Sequence, residues 1–159
     1  HALNIDFYKA LNLDVNQNND GMDVCICMLE DSEEEGKVKV SFAGAKRPLY
    51  YSDKGEFKEA KGTRRSIGDK VKRNGKTKSF EQIDLLLTKG EMIYLGSDGL
   101  VDQASPDHKK IGTLNLKKLL AENIDLSIET QKQNILDYLS KHQKDAPQRD
   151  DITLLGIRV

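Results

Sequence analysis

The sequence predicts an α+β fold, and three observations carry that reading. Residues 22–60 fall into short apolar-polar runs broken by turn residues, which is the pattern of strands. Residues 114–139 change to apolar spacings of three and four, the stripe of amphipathic helices. After Pro147 the chain returns to an extended apolar run ending at Val159.

The elements follow in order. Leu3, Phe7, Ala10, Leu11 and Val15 form the apolar stripe of a helix over residues 3–14, which Asn16 to Gly21 ends. Strands are predicted at Met22 to Glu30, Lys37 to Ala43, Leu49 to Ser52 and Glu56 to Ala60. An acidic loop at Glu30 to Gly36 and a break at Gly44 to Pro48 separate the first three, and Asp53-Lys54-Gly55 has tight-hairpin chemistry. This is the grammar of an antiparallel meander. Arg64 to Gly75 is a basic, glycine-containing loop whose length points to a functional role. Strands resume at Lys78 to Leu86 and in the run ending at Leu95. Helices are expected around Leu114, Leu116, Leu119 and Leu120, and around Ile128, Ile135, Leu136 and Leu139. The last strand is apolar at Ile152, Leu154, Leu155, Ile157 and Val159, which predicts a central strand covered on both faces.

The 159 residues are one domain's worth by length, one domain or part of one, enough to bury an ordinary core. With 25 basic and 26 acidic residues the formal charge is -1, so no global field draws the chain to nucleic acid or to a membrane surface. Cys25 and Cys27 lie two apart on one strand face, a spacing that does not suit a mutual disulfide. No apolar run approaches the roughly 20 residues of a membrane span, and no secretory leader is read, so a reduced cytoplasmic setting is expected.

The chemistry concentrates at two points. The run Gly90-Glu91-Met92-Ile93-Tyr94-Leu95-Gly96-Ser97-Asp98-Gly99-Leu100 is an apolar strand that ends in an acid between small residues. Small neighbours let backbone and solvent approach Asp98 closely, which suits a hard cation that keeps some of its waters. By itself Asp98 reads more readily as a structural turn residue or a helix N-cap than as a ligand. Asp150 and Asp151 stand immediately before the last strand and, taken alone, read as a solvated turn. Together the two points favour acids at strand ends around a metal ion.

Four segments in sequence resemble the metal-dependent type-2C protein phosphatases, in the bacterial branch typified by the stage II sporulation E phosphatase. They are Asp20-Gly21-Met22-Asp23-Val24, Phe42-Ala43-Gly44-Ala45-Lys46-Arg47-Pro48-Leu49-Tyr50, Gly96-Ser97-Asp98-Gly99-Leu100-Val101-Asp102-Gln103 and Arg149-Asp150-Asp151-Ile152-Thr153. The resemblance runs from about Leu3 to Val159. It implies a layered α-β-β-α sandwich, two antiparallel sheets flanked by helices, with a two-metal site at one end. Asp98 and Asp150 match metal ligands of that family, and Asp151 ranks second beside Asp150. Beyond metal ligands, no catalytic side chain is implied. Two Mn²⁺ or Mg²⁺ ions about 3.5–4 Å apart would activate a water for in-line attack on phosphorus, without a phosphoenzyme. The expected substrate is phosphoserine or phosphothreonine on a bacterial regulatory protein such as an anti-sigma-factor antagonist.

The family's first metal motif, an aspartate in a Gly-Asp-Gly-x-Gly-His-type stretch, has no match in this chain. Residues 1–159 therefore read as the C-terminal two-thirds of the domain, inactive in isolation. Such a piece would lack strands and leave edges that invite homodimers. The rival reading is a non-catalytic interaction domain with the same fold. Lys46, Arg47, Arg64, Arg65, Lys70, Lys72 and Arg73 are read as scattered surface charge, with a docking rim for phosphoprotein as the alternative. Cys25 and Cys27 are read as packing residues. His108 and His142 have no serine or cysteine elbow beside them to make a nucleophilic triad.

Overall fold

The computed structural model describes Asp6, residues 21–69 and residues 79–159. Apart from Asp6, which is helical, the helix expected over residues 3–14 lies outside the described residues, as do Asp20, Lys70, Lys72, Arg73 and Lys78. The described elements are β1 (Val24–Asp31), β2 (Lys37–Ala45), β3 (Leu49–Asp53), β4 (Glu56–Ala60), β5 (Gln82–Thr88), β6 (Met92–Gly96), α1 (Gly99–Asp102), α2 (Gly112–Ala121), α3 (Ile128–Gln143) and β7 (Leu154–Arg158). They form one sheet in the order β1-β2-β5 and another in the order β4-β3-β6-β7. The α+β class, with two antiparallel sheets and helices, is therefore as expected.

The simple meander is not. β1 and β2 pair antiparallel from Val24↔Ala45 to Asp31↔Val38, but β3 joins the other sheet and pairs with β6 through Tyr50↔Tyr94 and Tyr51↔Ile93. The switch occurs at the Gly44 to Pro48 break, where Lys46 takes a left-handed φ of 58°. A Cβ on Gly44 would lie 2.2 Å from the Arg47 carbonyl oxygen, and one on Gly62 would lie 2.4 Å from the same atom. Two glycines 18 positions apart thus let the backbone fold tightly over Arg47. The hairpin between β3 and β4 is as predicted, with Lys54 at φ 55° and Gly55 at φ 75°, the positive pair that a two-residue turn requires.

The chain divides into two units, residues 1–49 with 60–86 and residues 50–59 with 87–159. In the first, Val40, Phe42, Ala45 and Ile67 are buried. In the second, the core gathers Tyr50, Met92, Tyr94, Leu100, Ile111, Leu116, Leu120 and Ile124, with Phe57, Ile135, Leu139, Ile152 and Leu154 packed against it. This places the end of β6 and the start of β7 on the same apolar support.

α3 begins at a Ser127 cap, whose hydroxyl accepts from the Thr130 N–H at 3.2 Å. Its Gln131 faces the core and accepts from the Tyr94 hydroxyl at 2.7 Å, while its amide nitrogen donates to the Leu126 carbonyl at 2.9 Å. Burial pushes the Tyr94 phenol up to about 12, so it stays a donor at all ordinary pH. Tyr94→Phe should therefore strand the Gln131 carbonyl and lower stability by about 1–3 kcal/mol in urea unfolding, with Gln131→Leu added to it restoring most of the loss. Equal stability of Tyr94→Phe and wild type would show the pair to be solvated.

β7 departs from expectation. Among the described residues it pairs with β6 alone and is an edge strand, and Leu155 is 51% exposed. An unbroken apolar run reports that both faces are apolar, and says nothing about how many strands lie beside it. No described helix is long and apolar enough to cross a membrane.

Candidate metal centre

β6 and β7 run antiparallel from Met92↔Arg158 to Gly96↔Leu154, so the end of one strand meets the start of the other. The residues just outside the ladder continue the contact. Ser97 donates its N–H to the Thr153 carbonyl at 3.0 Å, its hydroxyl donates to the Asp151 carbonyl at 2.7 Å, and the same hydroxyl accepts from the Thr153 N–H at 3.0 Å. One serine thus ties the two segments with three bonds. Glycines allow the approach: a Cβ on Gly96 would lie 2.8 Å from the Thr153 carbonyl oxygen, and one on Gly99 only 2.3 Å from that of Asp151.

Asp98 is half-buried and occupies the N-cap position of α1, where its carbonyl accepts from the Asp102 N–H at 2.8 Å. Its carboxylate makes no capping bond. Capping, the plain alternative for this residue, is met by the backbone only, so the side chain is spent elsewhere. Asp150 and Asp151 are exposed. The Asp150 carboxylate accepts the Asp151 N–H at 2.8 Å, and Asp151 serves Ser97 through its main chain. The fold thus brings the Asp98 and Asp150-Asp151 segments to one end of the β6–β7 pair. In kind, this all-oxygen donor set fits a hard divalent cation. In number it falls short, since no group of three or more His, Cys, Asp or Glu side chains gathers among the described residues.

A second polar cluster lies in the first unit and was not singled out from sequence. Asp23, at the mouth of β1, accepts from the Ser66 hydroxyl and faces the Arg47 guanidinium at 3.5 Å and the Lys46 ammonium at 3.7 Å. Met22 and Ile67 exchange backbone bonds of 2.8 and 2.9 Å beside it. The signal available in sequence was an acid at a strand opening and a basic pair at a strand break, but nothing local says that they meet. Lys46 and Arg47 are thus engaged by Asp23, and Arg65 covers the Phe80 ring at 4.7 Å. Cys25 and Cys27 form no disulfide and are half-buried. Burial, and then the neighbouring Cys25, push the Cys27 thiol up to about 11, so it is protonated at neutral pH and a poor metal ligand. His142 reaches the Lys109 carbonyl at 2.9 Å and stacks on Tyr138.

Comparison with known proteins gives this geometry a context. The chain is 31% identical over 154 residues to the phosphoserine phosphatase RsbU of Bacillus subtilis, covering 94% of this chain and 43% of that protein. The SiaA-PP2C domain of Pseudomonas aeruginosa superposes with a TM-score of 0.66 at 35% identity, over 76% of this chain and 46% of that one. The phosphatase domain of the cell fate determinant SpoIIE from Bacillus subtilis, in a manganese-presoaked structure, shares the fold with a TM-score of 0.54 at 13% identity, over 85% of this chain and 56% of that one. The chain thus spans about half the length, or less, of the relatives it matches first. The family model for stage II sporulation protein E (SpoIIE) matches residues 5–159, nearly the whole sequence, and the chain belongs to that family.

Proposed function

We propose that this chain is the metal-binding C-terminal part of a protein serine/threonine phosphatase acting on a phosphorylated bacterial regulatory protein. The anti-sigma-factor antagonists are the class of partner that the resemblance favours, in the cytoplasm, where the unbridged thiols of Cys25 and Cys27 stay reduced. The observation that supports the reading is the Ser97 clasp, which ties the Asp98 turn to Asp151 and Thr153 at one end of the β6–β7 pair. Asp98 and Asp150 are the ligands proposed for Mn²⁺ or Mg²⁺, with Asp151 ranked behind them because the resemblance puts the ligand at the first acid of the pair. When bound, the ions supply Lewis-acid activation of the phosphoryl group and of the attacking water.

The residues' own work is positional. Ser97 and Gly99 fix the distance between the two acidic segments, and Asp98 carries its charge at the start of α1 without a competing cap bond. Asp98 and Asp150 are too few to hold two ions, and the family's first metal aspartate has no match in this chain. The chain alone should therefore release phosphate from a phosphoserine peptide with Mn²⁺ at no more than about a hundredth of the rate of a polypeptide extended upstream through that motif. Comparable turnover by this chain alone would refute the division of the site. An inactive extended polypeptide would leave the non-catalytic interaction domain as the better reading.

A further inference from the structure

The second unit holds a cleft of about 190 Å³ between the turn that follows α1 and the segment that leads into β7. Ser105, Pro106 and His108 line one side, and Asp145, Pro147 and Arg149 line the other. Its walls are fixed. Gln103, itself only 4% exposed, donates from one amide nitrogen to the Ala104 carbonyl at 2.9 Å and to the Pro147 carbonyl at 3.4 Å, clamping the two sides together. Ser105 accepts the His108 N–H at 2.9 Å, and His108 holds a left-handed φ of 60°. Positive φ in a non-glycine residue persists only where its surroundings impose it.

Among the described residues, Arg149 is the one Lys or Arg on this cleft. Among the described residues it makes no ion pair, not even with Asp145, which lines the same space. It also immediately precedes Asp150, a proposed metal ligand. Consecutive residues are about 3.8 Å apart, so a cleft on Arg149 lies within one to three residues' reach of a phosphoserine held at the metal centre.

We propose that this cleft is a specificity subsite that takes an acidic side chain of the substrate, within a few residues of the phosphoserine. The inference rests on the phosphatase reading above. The volume suits one side chain, and the planar guanidinium fork matches a carboxylate in two parallel bonds. Asp145 keeps the cleft from carrying a large net charge, so selection comes from the geometry of the fork. Arg149 touches the substrate's flank in this scheme and no reacting atom, so its effect falls mainly on KM.

The test uses the polypeptide that contains this chain and the sequence upstream of it, with Mn²⁺. Phosphoserine peptides carry Glu, Ala or Lys at each of two positions on either side of the phosphoserine. Wild type should prefer Glu to Ala at one flank by about tenfold in kcat/KM, mainly through KM. Arg149→Ala should erase that ratio, Arg149→Lys should keep part of it, and Arg149→Glu should turn the preference toward Lys. Wild type that cleaves all peptides equally, or Arg149→Glu that keeps the wild-type order, overturns the subsite alone. Wild type that cleaves none of them overturns the phosphatase reading, and the subsite with it.

Discussion

Gly99→Ala should be among the most damaging single substitutions in the second unit, lowering stability by about 3 kcal/mol and the melting temperature by roughly 6–12 °C. The added Cβ would stand 2.3 Å from the Asp151 carbonyl oxygen, 2.8 Å from the Asp151 carbonyl carbon and 3.1 Å from the Ile152 Cγ1. The two closest atoms are backbone, so no side chain can swing aside and either α1 or the start of β7 must move. Either movement strains the bonds of 2.7 and 3.0 Å between Ser97 and Asp151 and Thr153, which lie two residues away. Gly156→Ala, in β7, is the control. Its Cβ would meet no backbone atom closely but only the buried Tyr94 ring at 3.3 Å, which needs to give by a few tenths of an ångström, so the loss should be smaller, about 1 kcal/mol. Thermal unfolding of both variants followed by circular dichroism decides the matter. A Gly99→Ala variant that melts with wild type would mean that the close approach at the candidate site is not part of the native packing.

Much of the fold was legible because its signals are local. The Asp53-Lys54-Gly55 hairpin is written in residues that tolerate positive φ, and the structure shows it at Lys54 and Gly55. The α2 and α3 stripes and the strand that runs into Asp98 announce themselves by period. The exchange of β3 from one sheet to the other was not legible, because it depends on Gly44 and Gly62 closing over the Arg47 carbonyl from distant points in the chain. The place of β7 is not legible for a related reason: apolar residues at successive positions suit a central strand and an edge strand alike, and among the described residues only β6 pairs with it. At the candidate site, two acids before and after strands were visible as a pattern. The parts that bring them together, Ser97 as a two-way hydrogen-bonding clasp and Gly99 as an absent side chain, looked like ordinary small neighbours. The role of Asp23 is hidden in sequence, since its partners Lys46, Arg47 and Ser66 lie more than 20 residues on.

Removing the proposed ligands should separate a metal role from a structural one. Carboxylates brought to one end of a strand pair repel each other without a cation, so Asp98→Asn and Asp150→Asn should melt at or slightly above wild type in the absence of metal. With Mn²⁺ the order should reverse. Few carboxylates offset the dehydration of a hard cation here, so this chain should bind Mn²⁺ with a Kd of roughly 10⁻³ M. At about 10 mM Mn²⁺ that affinity stabilises the wild type by about 1.4 kcal/mol, a few degrees in melting temperature. Asp98→Asn and Asp150→Asn should each lose most of this gain and weaken binding about tenfold or more by calorimetric titration. Asp151→Asn should lose less, because the described hydrogen bonds of that residue, its carbonyl to Ser97 and its N–H to Asp150, are main-chain bonds that the amide keeps. In a polypeptide that also carries the upstream aspartate, Asp98→Asn and Asp150→Asn should lower phosphate release on the order of a hundredfold or more. A purely structural pair would behave in the opposite way, melting lower without metal and keeping the full Mn²⁺ gain. Equal Mn²⁺ stabilisation of wild type and both variants would remove Asp98 and Asp150 from the metal centre, and with them the catalytic reading of the β6–β7 end.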